Sequence, residues 1–476
     1  MTEQQPQRPK IVFLNLPHRA SVVRRYMCSH TVPMFFFPPH ELLQLATCAR
    51  EWNGADIRFL DAIADRSDEA SVHASIERER PDGLVSIVGI ETISDDLACL
   101  DRIKEAFPTL TCTIFGFYPT NFPQLILERS RVDFILRGEP EATLSTLLQA
   151  LDAGQPTDGI VGLAGRRPDG SIFANAPERI LDFDELPFPD YSILDVRKYE
   201  EGLLGGPLGA IFTARGCPFR CNFCTTTYGR KLILKRPKTV VAEVRSLVTA
   251  GVRLVRFLDD TFTANKARVI TICREIIAQG IRVRWACLAR VDTLDAEMLA
   301  WMKQAGCVRV VVGVESYSPK ILDYLDKGVD PATCNAQLAL IRKARIESVG
   351  FFLVGAPVET DQDFQETLRG ALASPLDLIG VNILTPYAGT PFFDKVKDDL
   401  VFSLIPYECR YKDESIGVTA MKRERILYMR FYLRPAAIVR QLRYFFAFPL
   451  RTTRLLLMVL RYQTKQFRSH ERPDVF

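Results

Sequence analysis

The chain has 476 residues, 47% apolar and 25% charged, which is too long for one average domain and ordinary for a globular protein with sizeable cores. The formal net charge of +4 is unevenly spread: between Met421 and His470 there are twelve Lys/Arg against one acid, Glu424, so the rest of the chain is mildly acidic. No stretch reaches the roughly 18 uninterrupted apolar residues of a membrane-spanning helix. The polar opening MTEQQPQRPK and the short run IVFLNL lack the form of a signal peptide, so a reducing cytosol is the expected compartment.

Residues 10–152 alternate strand and helix patterns. IVFLNL, ADIRFLDA, PDGLVSIVGI, TCTIFGF and VDFILRGE read as strands, with helical spacing in HELLQLATCAREWN, DDLACLDRIKEAF and EATLSTLLQALDAG. Such alternation builds parallel βαβ units and predicts a doubly wound sheet, whose ligands gather at the carboxyl ends of its strands. Residues 153–209, rich in Gly, Pro and Asp, read as a linker. Over 210–395 six further strand patterns follow, AIFTAR, LVRFLDD, VRWACLAR, VRVVVGVES, SVGFFLVGAP and LDLIGVNILTP, separated by helices. Six consecutive β/α units predict a partial TIM-type (β/α)6 barrel with its chemistry at the strands' C-terminal ends. Residues 396–476 read as a mostly helical basic region, with KRERILYMRFYLRP, AAIVRQLRYFFAF and PLRTTRLLLMVLRY as its helices.

Nine of the twelve cysteines are dispersed and read as small buried hydrophobes. The other three, Cys217, Cys221 and Cys224, lie in ARGCPFRCNFC directly after the first barrel strand. A structural zinc site needs a fourth ligand, and none lies nearby. A four-iron cluster held by three thiolates keeps one iron open for a ligand, which is a catalytic design. Gly216 and Pro218 shape the turn, and Arg215 and Arg220 are candidates to offset cluster charge.

This CxxxCxxC stretch resembles the signature of radical S-adenosylmethionine (SAM) enzymes. The resemblance spans about residues 205–395 and implies a [4Fe–4S] cluster on Cys217, Cys221 and Cys224, with SAM bound at the open iron. Reduction would then split SAM to a 5′-deoxyadenosyl radical that abstracts hydrogen from substrate. It further implies that Phe223 lies beside adenine, and that Asp259 or Asp260 in LDDTFTAN meets the methionyl ammonium. Arg290, with Asp292, and Glu315 would meet the SAM carboxylate or ribose, and Gly355, with Pro357, would pack near adenine. A helix-capping role for the two aspartates and a structural ion pair for Arg290 and Glu315 stand as alternatives.

With its doubly wound N-terminal domain the chain is similar to the class B, cobalamin-binding radical SAM group. That likeness implies a corrin near Gly116, Thr120 and Glu139. The Asp-x-His-x-x-Gly motif that ligates cobalt is missing, and the group's Gly-Gly-x-His segment reads Phe115-Gly116-Phe117-Tyr118. The implied chemistry is methyl transfer to an unactivated carbon of a small-molecule, lipid or pigment-like substrate, driven by a one-electron reductant such as flavodoxin or ferredoxin. Cyclisation or rearrangement without net methylation is the alternative, and a non-enzymatic metal or electron carrier the second. The basic, aromatic-rich C-terminal region is a candidate for peripheral membrane contact or for a helical cap on the barrel; no nucleic-acid recognition motif accompanies it.

Overall fold

The computed structural model describes residues 8–447 except 21, 26–27, 32–34, 181 and 226–227, and also 449 and 453. The chain divides into two compact units: an N-terminal one up to Glu201 that also includes Ile405–Tyr407, and a C-terminal one from Gly202 that holds the rest.

In the N-terminal unit, β1 (Lys10–Asn15), β2 (Asp56–Asp61), β3 (Gly83–Ile87), β4 (Thr111–Phe115) and β5 (Phe134–Leu136) run parallel. The helices α1 (His40–Asn53), α2 (Glu69–Glu79), α3 (Ile93–Ala106), α4 (Phe117–Asn121), α5 (Pro123–Arg129) and α6 (Pro140–Asp152) lie between and after them. Central strands of such a sheet are covered on both faces, which is why Val12, Phe13 and Leu14 are consecutive, apolar and fully buried. β6 (Leu163–Arg166) and β7 (Ile172–Ala174) extend the sheet as antiparallel strands, giving the order β7-β6-β5-β4-β3-β1-β2. The segment expected to be a linker therefore begins with two strands of this sheet. Its Gly/Pro/Asp content marks the tight turns between them rather than an absence of structure.

In the C-terminal unit, β8 (Leu208–Ile211), β9 (Leu254–Phe257), β10 (Arg284–Arg290), β11 (Cys307–Glu315), β12 (Glu347–Val354) and β13 (Leu378–Ile383) form one sheet in sequence order, every pair parallel. The crossovers carry α7 (Pro237–Thr249), α8 (Lys266–Ala278), α9 (Ala296–Gln304), α10 (Pro319–Tyr324), α11 (Pro331–Lys343) and α12 (Asp361–Ala373). Consecutive parallel β/α units in this order make the partial barrel.

After α13 (Pro391–Val396), a hairpin of Leu400–Ser403 with Glu408–Tyr411 occupies the start of the region expected to be helical. Helices α14 (Glu414–Tyr432) and α15 (Pro435–Ala447) follow, while the third expected helix, PLRTTRLLLMVLRY, lies outside the described residues apart from two isolated positions. α14 covers the open edge of the barrel. It buries Ala420, Arg423, Leu427 and Phe431 along one stripe, and its Tyr428 and Tyr432 hydroxyls accept the Val381 and Ile379 amides of β13 at 2.9 and 3.1 Å. Those donors would otherwise be an unpaired sheet edge.

Candidate active site

The root of the cysteine loop is clamped before the first thiol. At the end of β8, both carboxylate oxygens of the buried Asp259 accept from Thr213 and Ala214, with amide bonds of 2.6 and 3.0 Å and the Thr213 hydroxyl as a third donor. Arg268 of α8 donates to the Thr213 carbonyl at 2.6 Å and to the Lys235 carbonyl at 3.0 Å. Burial pushes the Asp259 carboxyl up, while Arg268 and the Thr213 donors pull against it. Beyond the clamp, Ala214–Arg215 pairs antiparallel with Ile233–Leu234, and the Cys217 amide donates to the Gly229 carbonyl at 3.0 Å. Gly216 has φ 83°, and a Cβ there would sit 2.2 Å from the Lys231 carbonyl, so this crossing of two backbones needs glycine. Asn222 ties the loop's far side down, donating to the Tyr324 carbonyl at 2.7 Å.

The three thiols share this loop. Cys217 and Cys221 are buried and Cys224 is half-buried, as is Phe223. Burial raises the Cys217 thiol, and burial, Asp260 and the two neighbouring thiols push Cys224 up to about 12. Among the described residues no group of three His, Cys, Asp or Glu is drawn around one metal ion.

Among the described residues, Arg290 and Lys327 bring positive charge to the thiols. Arg290, at the end of β10, donates from Nη1 to the Cys221 sulfur at 3.3 Å. Its other nitrogens meet the Asp292 carboxylate at 3.0 and 2.9 Å and the Lys327 carbonyl at 2.6 Å, and the guanidinium lies 4.0 Å from the Phe219 ring centroid. Burial opposes the charge on Arg290, but Asp292 and the thiols of Cys221 and Cys217 outweigh it and the pKa rises. Lys327, 95% hidden from solvent, behaves alike: burial lowers it, and Glu315 and Cys221 raise it further. Its Nζ donates to Glu315 Oε1 at 2.7 Å.

Glu315 reaches that position through an irregular strand end. The register of β11 against β12 slips between Gly313 and Glu315, and Glu315 takes a left-handed φ of 63°. A bulge ending in a non-glycine left-handed residue is strained and re-aims a side chain, and the buried ion pair offsets that strain. Space is also required, because a Cβ at Gly313 would lie 2.2 Å from Glu315 Oε1 and 2.7 Å from Lys327 Nζ.

Thus Cys217, Cys221, Cys224, Asp260, Arg290, Glu315 and Lys327 interact around one loop, while several other expected residues are committed elsewhere. Asp259 is part of the clamp. Gly355 presents its open side to α14, where a Cβ would meet Ala420 at 2.6 Å. Arg215 lies 4.6 Å from the Tyr228 ring centroid and Arg220 is exposed, while the cation bonded to the Cys221 sulfur is Arg290. Lys327 escaped the sequence reading because a lone lysine in a turn, far from the cysteines in sequence, carries no signal of its own. Only the twelve-residue interval from the strand-end Glu315 hinted at a return contact.

In the N-terminal unit, the order β2-β1-β3-β4-β5 is flavodoxin-like, with its switch point between β1 and β3. That crevice is filled by the chain itself. Arg24 is buried against Asp96 of α3 at 2.8 Å and bonds the Asn15 side chain and the Leu16 carbonyl at 3.1 and 2.8 Å. Asn15 continues to Asp61, and Asp61 to the Tyr199 hydroxyl, each at 2.8 Å. His18 has Nδ1 3.0 Å from the Ala20 amide and Nε2 3.4 Å from Asp95. Gly116 packs so closely that a Cβ would meet the Val88 carbonyl at 2.7 Å; the Thr120 hydroxyl accepts from Gly138 N at 3.1 Å; Glu139 is buried at the start of α6. Gly116 and Glu139 lie in the connections directly after β4 and β5, and Thr120 lies on α4 between them, so all three stand at the carboxyl edge of the sheet.

Fold and loop together define a partial-barrel protein whose functional edge carries a thiol triplet ringed by buried charge. Residues 211–371 match the family described as the radical SAM superfamily. An uncharacterized methyltransferase of Pyrococcus horikoshii is 29% identical over 448 residues, covering 90% of this chain and 94% of that one. The anaerobic magnesium-protoporphyrin IX monomethyl ester cyclase of Cereibacter sphaeroides is 28% identical, covering 84% of this chain and 68% of its own. Among solved structures, the cobalamin-dependent SAM radical enzyme OxsB, with aqua-cobalamin and SAM bound, has the same fold at TM-score 0.76 and 16% identity, covering 96% of this chain and 76% of that one. Residues 211–371 are therefore a radical SAM domain, and a doubly wound domain precedes it in the chain.

Proposed function

We propose that the protein transfers a methyl group to an unactivated carbon of a small-molecule, lipid or pigment-like substrate, using a [4Fe–4S] cluster, SAM and cobalamin. The observation that carries the reading is one loop, at the end of the first barrel strand, holding three thiols with Arg290 Nη1 3.3 Å from the Cys221 sulfur. The donor set fits a cluster: three soft sulfurs on a single loop, and cations where net negative charge would accumulate. Cys217, Cys221 and Cys224 would hold it, leaving one iron for SAM, and the bound cluster supplies the electron that cleaves SAM homolytically. Asp260, which acts electrostatically on Cys224 while Asp259 clamps the loop root, is assigned to the methionyl ammonium; Arg290 and Glu315, held by Asp292 and Lys327, to the carboxylate or ribose; Phe223 to adenine. Because protonated thiols do not ligate iron, loading must release protons, and the nearby cations lower that cost.

Residues 10–152 are proposed as the cobalamin-binding region and 210–395 as the radical core. The flavodoxin-like sheet and the OxsB likeness support this, and bound cobalamin would supply the methyl group. A flavodoxin or ferredoxin is proposed as electron donor and the cytoplasm as compartment, with peripheral membrane contact through the basic C-terminal region. Among the described residues no helix is long and apolar enough to cross a membrane. A second reading, ring closure without net methylation, is favoured by the likeness to the cyclase of Cereibacter sphaeroides.

The test is anaerobic reconstitution followed by turnover with methyl-labelled SAM. About four irons per chain, 5′-deoxyadenosine formed under reduction, and labelled methyl in the product are expected. Deoxyadenosine without methyl label supports the cyclase reading, and no SAM cleavage at full iron loading rejects both. The absorbance of anaerobically purified protein tests for cobalamin separately.

A further inference from the structure

α14 and α15 adjoin in sequence, yet they present opposite faces to the barrel. α14 follows the usual rule, burying the stripe Ala420, Leu427 and Phe431. α15 inverts it. Its contact with the barrel runs through Ala437, Arg440 and Tyr444, spaced three and four residues apart on one face. Ala437 is buried, Arg440 pairs with Asp377, and the Tyr444 hydroxyl bonds Glu347. Ile438, Val439, Leu442, Phe445 and Phe446 point outward, 43%, 50%, 51%, 39% and 78% exposed. A helix fixed to its own protein by polar groups, with its aromatic and aliphatic face in solvent, is not built to complete the barrel core.

We propose that the outer face of α15 is a membrane-docking surface that inserts Leu442, Phe445 and Phe446 among the acyl chains of an anionic lipid layer. Charge selects this occupant. Arg443 lies exposed beside the apolar face, Lys422, Arg425 and Arg430 are exposed on α14, and residues 448–470 add five Lys/Arg and no Asp or Glu. Insertion of aromatic and aliphatic side chains with a basic surround is how interfacial helices bind, each part needing the other for stable attachment. The polar inner anchors keep α15 on the barrel while its outer face is immersed, so the catalytic unit would meet substrates dissolved in the lipid phase. The inference deepens the membrane contact proposed above and is independent of the radical chemistry.

The test uses the full chain with vesicles of phosphatidylcholine alone, or with part of it replaced by anionic phosphatidylglycerol. Binding to the anionic vesicles in flotation, weakening with salt, is expected, and Leu442→Gln/Phe445→Gln/Phe446→Gln should lower the affinity about a hundredfold. SAM cleavage without vesicles should be unchanged in that variant, which separates failure of docking from failure of the enzyme reading. In Phe446→Trp, a blue shift of the new indole and its quenching by brominated lipid on adding anionic vesicles would report insertion directly. Equal vesicle binding by the triple variant would overturn the proposal. So would a homodimer that the triple variant dissociates with no vesicle binding by either form. A Phe446→Trp emission already shifted without lipid and unmoved by it would overturn it too, since residues 448–476 would then cover the face.

Discussion

The carboxyl edges of the two sheets follow one topological rule and are furnished differently. In the C-terminal unit the edge collects groups whose charges are left facing the thiols: Arg290 against Cys221, and Lys327 between Glu315 and the cysteines. In the N-terminal unit the switch point is closed by a self-contained network, Arg24–Asp96 with Asn15, Asp61 and Tyr199, in which each polar group has a protein partner. Both edges pair their buried charges within the protein, Arg290 with Asp292 and Lys327 with Glu315 in one, Arg24 with Asp96 in the other, and the C-terminal edge sets its pairs against the thiols.

The largest separation between the two edges should come from the thiols. Alanine at Cys217, Cys221 or Cys224 should drop iron content and bring 5′-deoxyadenosine formation to background, measured after anaerobic reconstitution, while the N-terminal sheet stays folded by circular dichroism. Next come the buried ion pairs. Lys327→Met strands the Glu315 carboxylate and Arg24→Met strands Asp96, each costing about 3–5 kcal/mol in denaturant unfolding. The doubles Glu315→Gln/Lys327→Met and Arg24→Met/Asp96→Asn should regain most of it. Only the first double should alter SAM affinity, so equal effects on SAM from both would erase the distinction between the edges.

A smaller loss, about 1–3 kcal/mol, is expected for Asp259→Asn, which keeps one oxygen for the Thr213 and Ala214 amides but removes the acceptor of the Thr213 hydroxyl and the charge facing Arg268. Its signature is slower cluster loading rather than lost ligands, read from the time course of iron uptake. The smallest effect is a pH slope. Burial raises the Asp61 carboxyl, against hydrogen bonds from Ala64, Tyr199 and Asn15 that lower it. Between the ordinary carboxylate pKa and this raised one, the folded state holds more protons than the unfolded, so stability falls as pH rises through the window and levels off above it. Melting temperatures across mildly acidic pH should show that slope in the parent and lose it in Asp61→Asn.

Much of this was legible in the residues. The parallel strands of both sheets are apolar runs bounded by turn signals, and local pattern suffices for them. The hairpin at Leu400–Ser403 and the strands β6 and β7 were not read, because short antiparallel pieces leave little periodicity. Among the site residues, the cysteine triplet is a local motif, so spacing alone reveals it. Asp259 and Asp260 are adjacent and look alike in sequence, yet the first is taken by the loop root while the second faces the thiols.

What the sequence determined by itself is the order of β/α units and the existence of a three-thiol loop after the first barrel strand, since both are written in neighbouring residues. The tertiary structure alone decided which charges surround that loop, which glycines are consumed by packing, and that α15 turns its apolar face outward. Each of these depends on residues tens or hundreds of positions apart, brought together by strand register and helix rotation. Burial then requires each of these charges to find a partner, and the register decides which of the resulting pairs stand against the thiols.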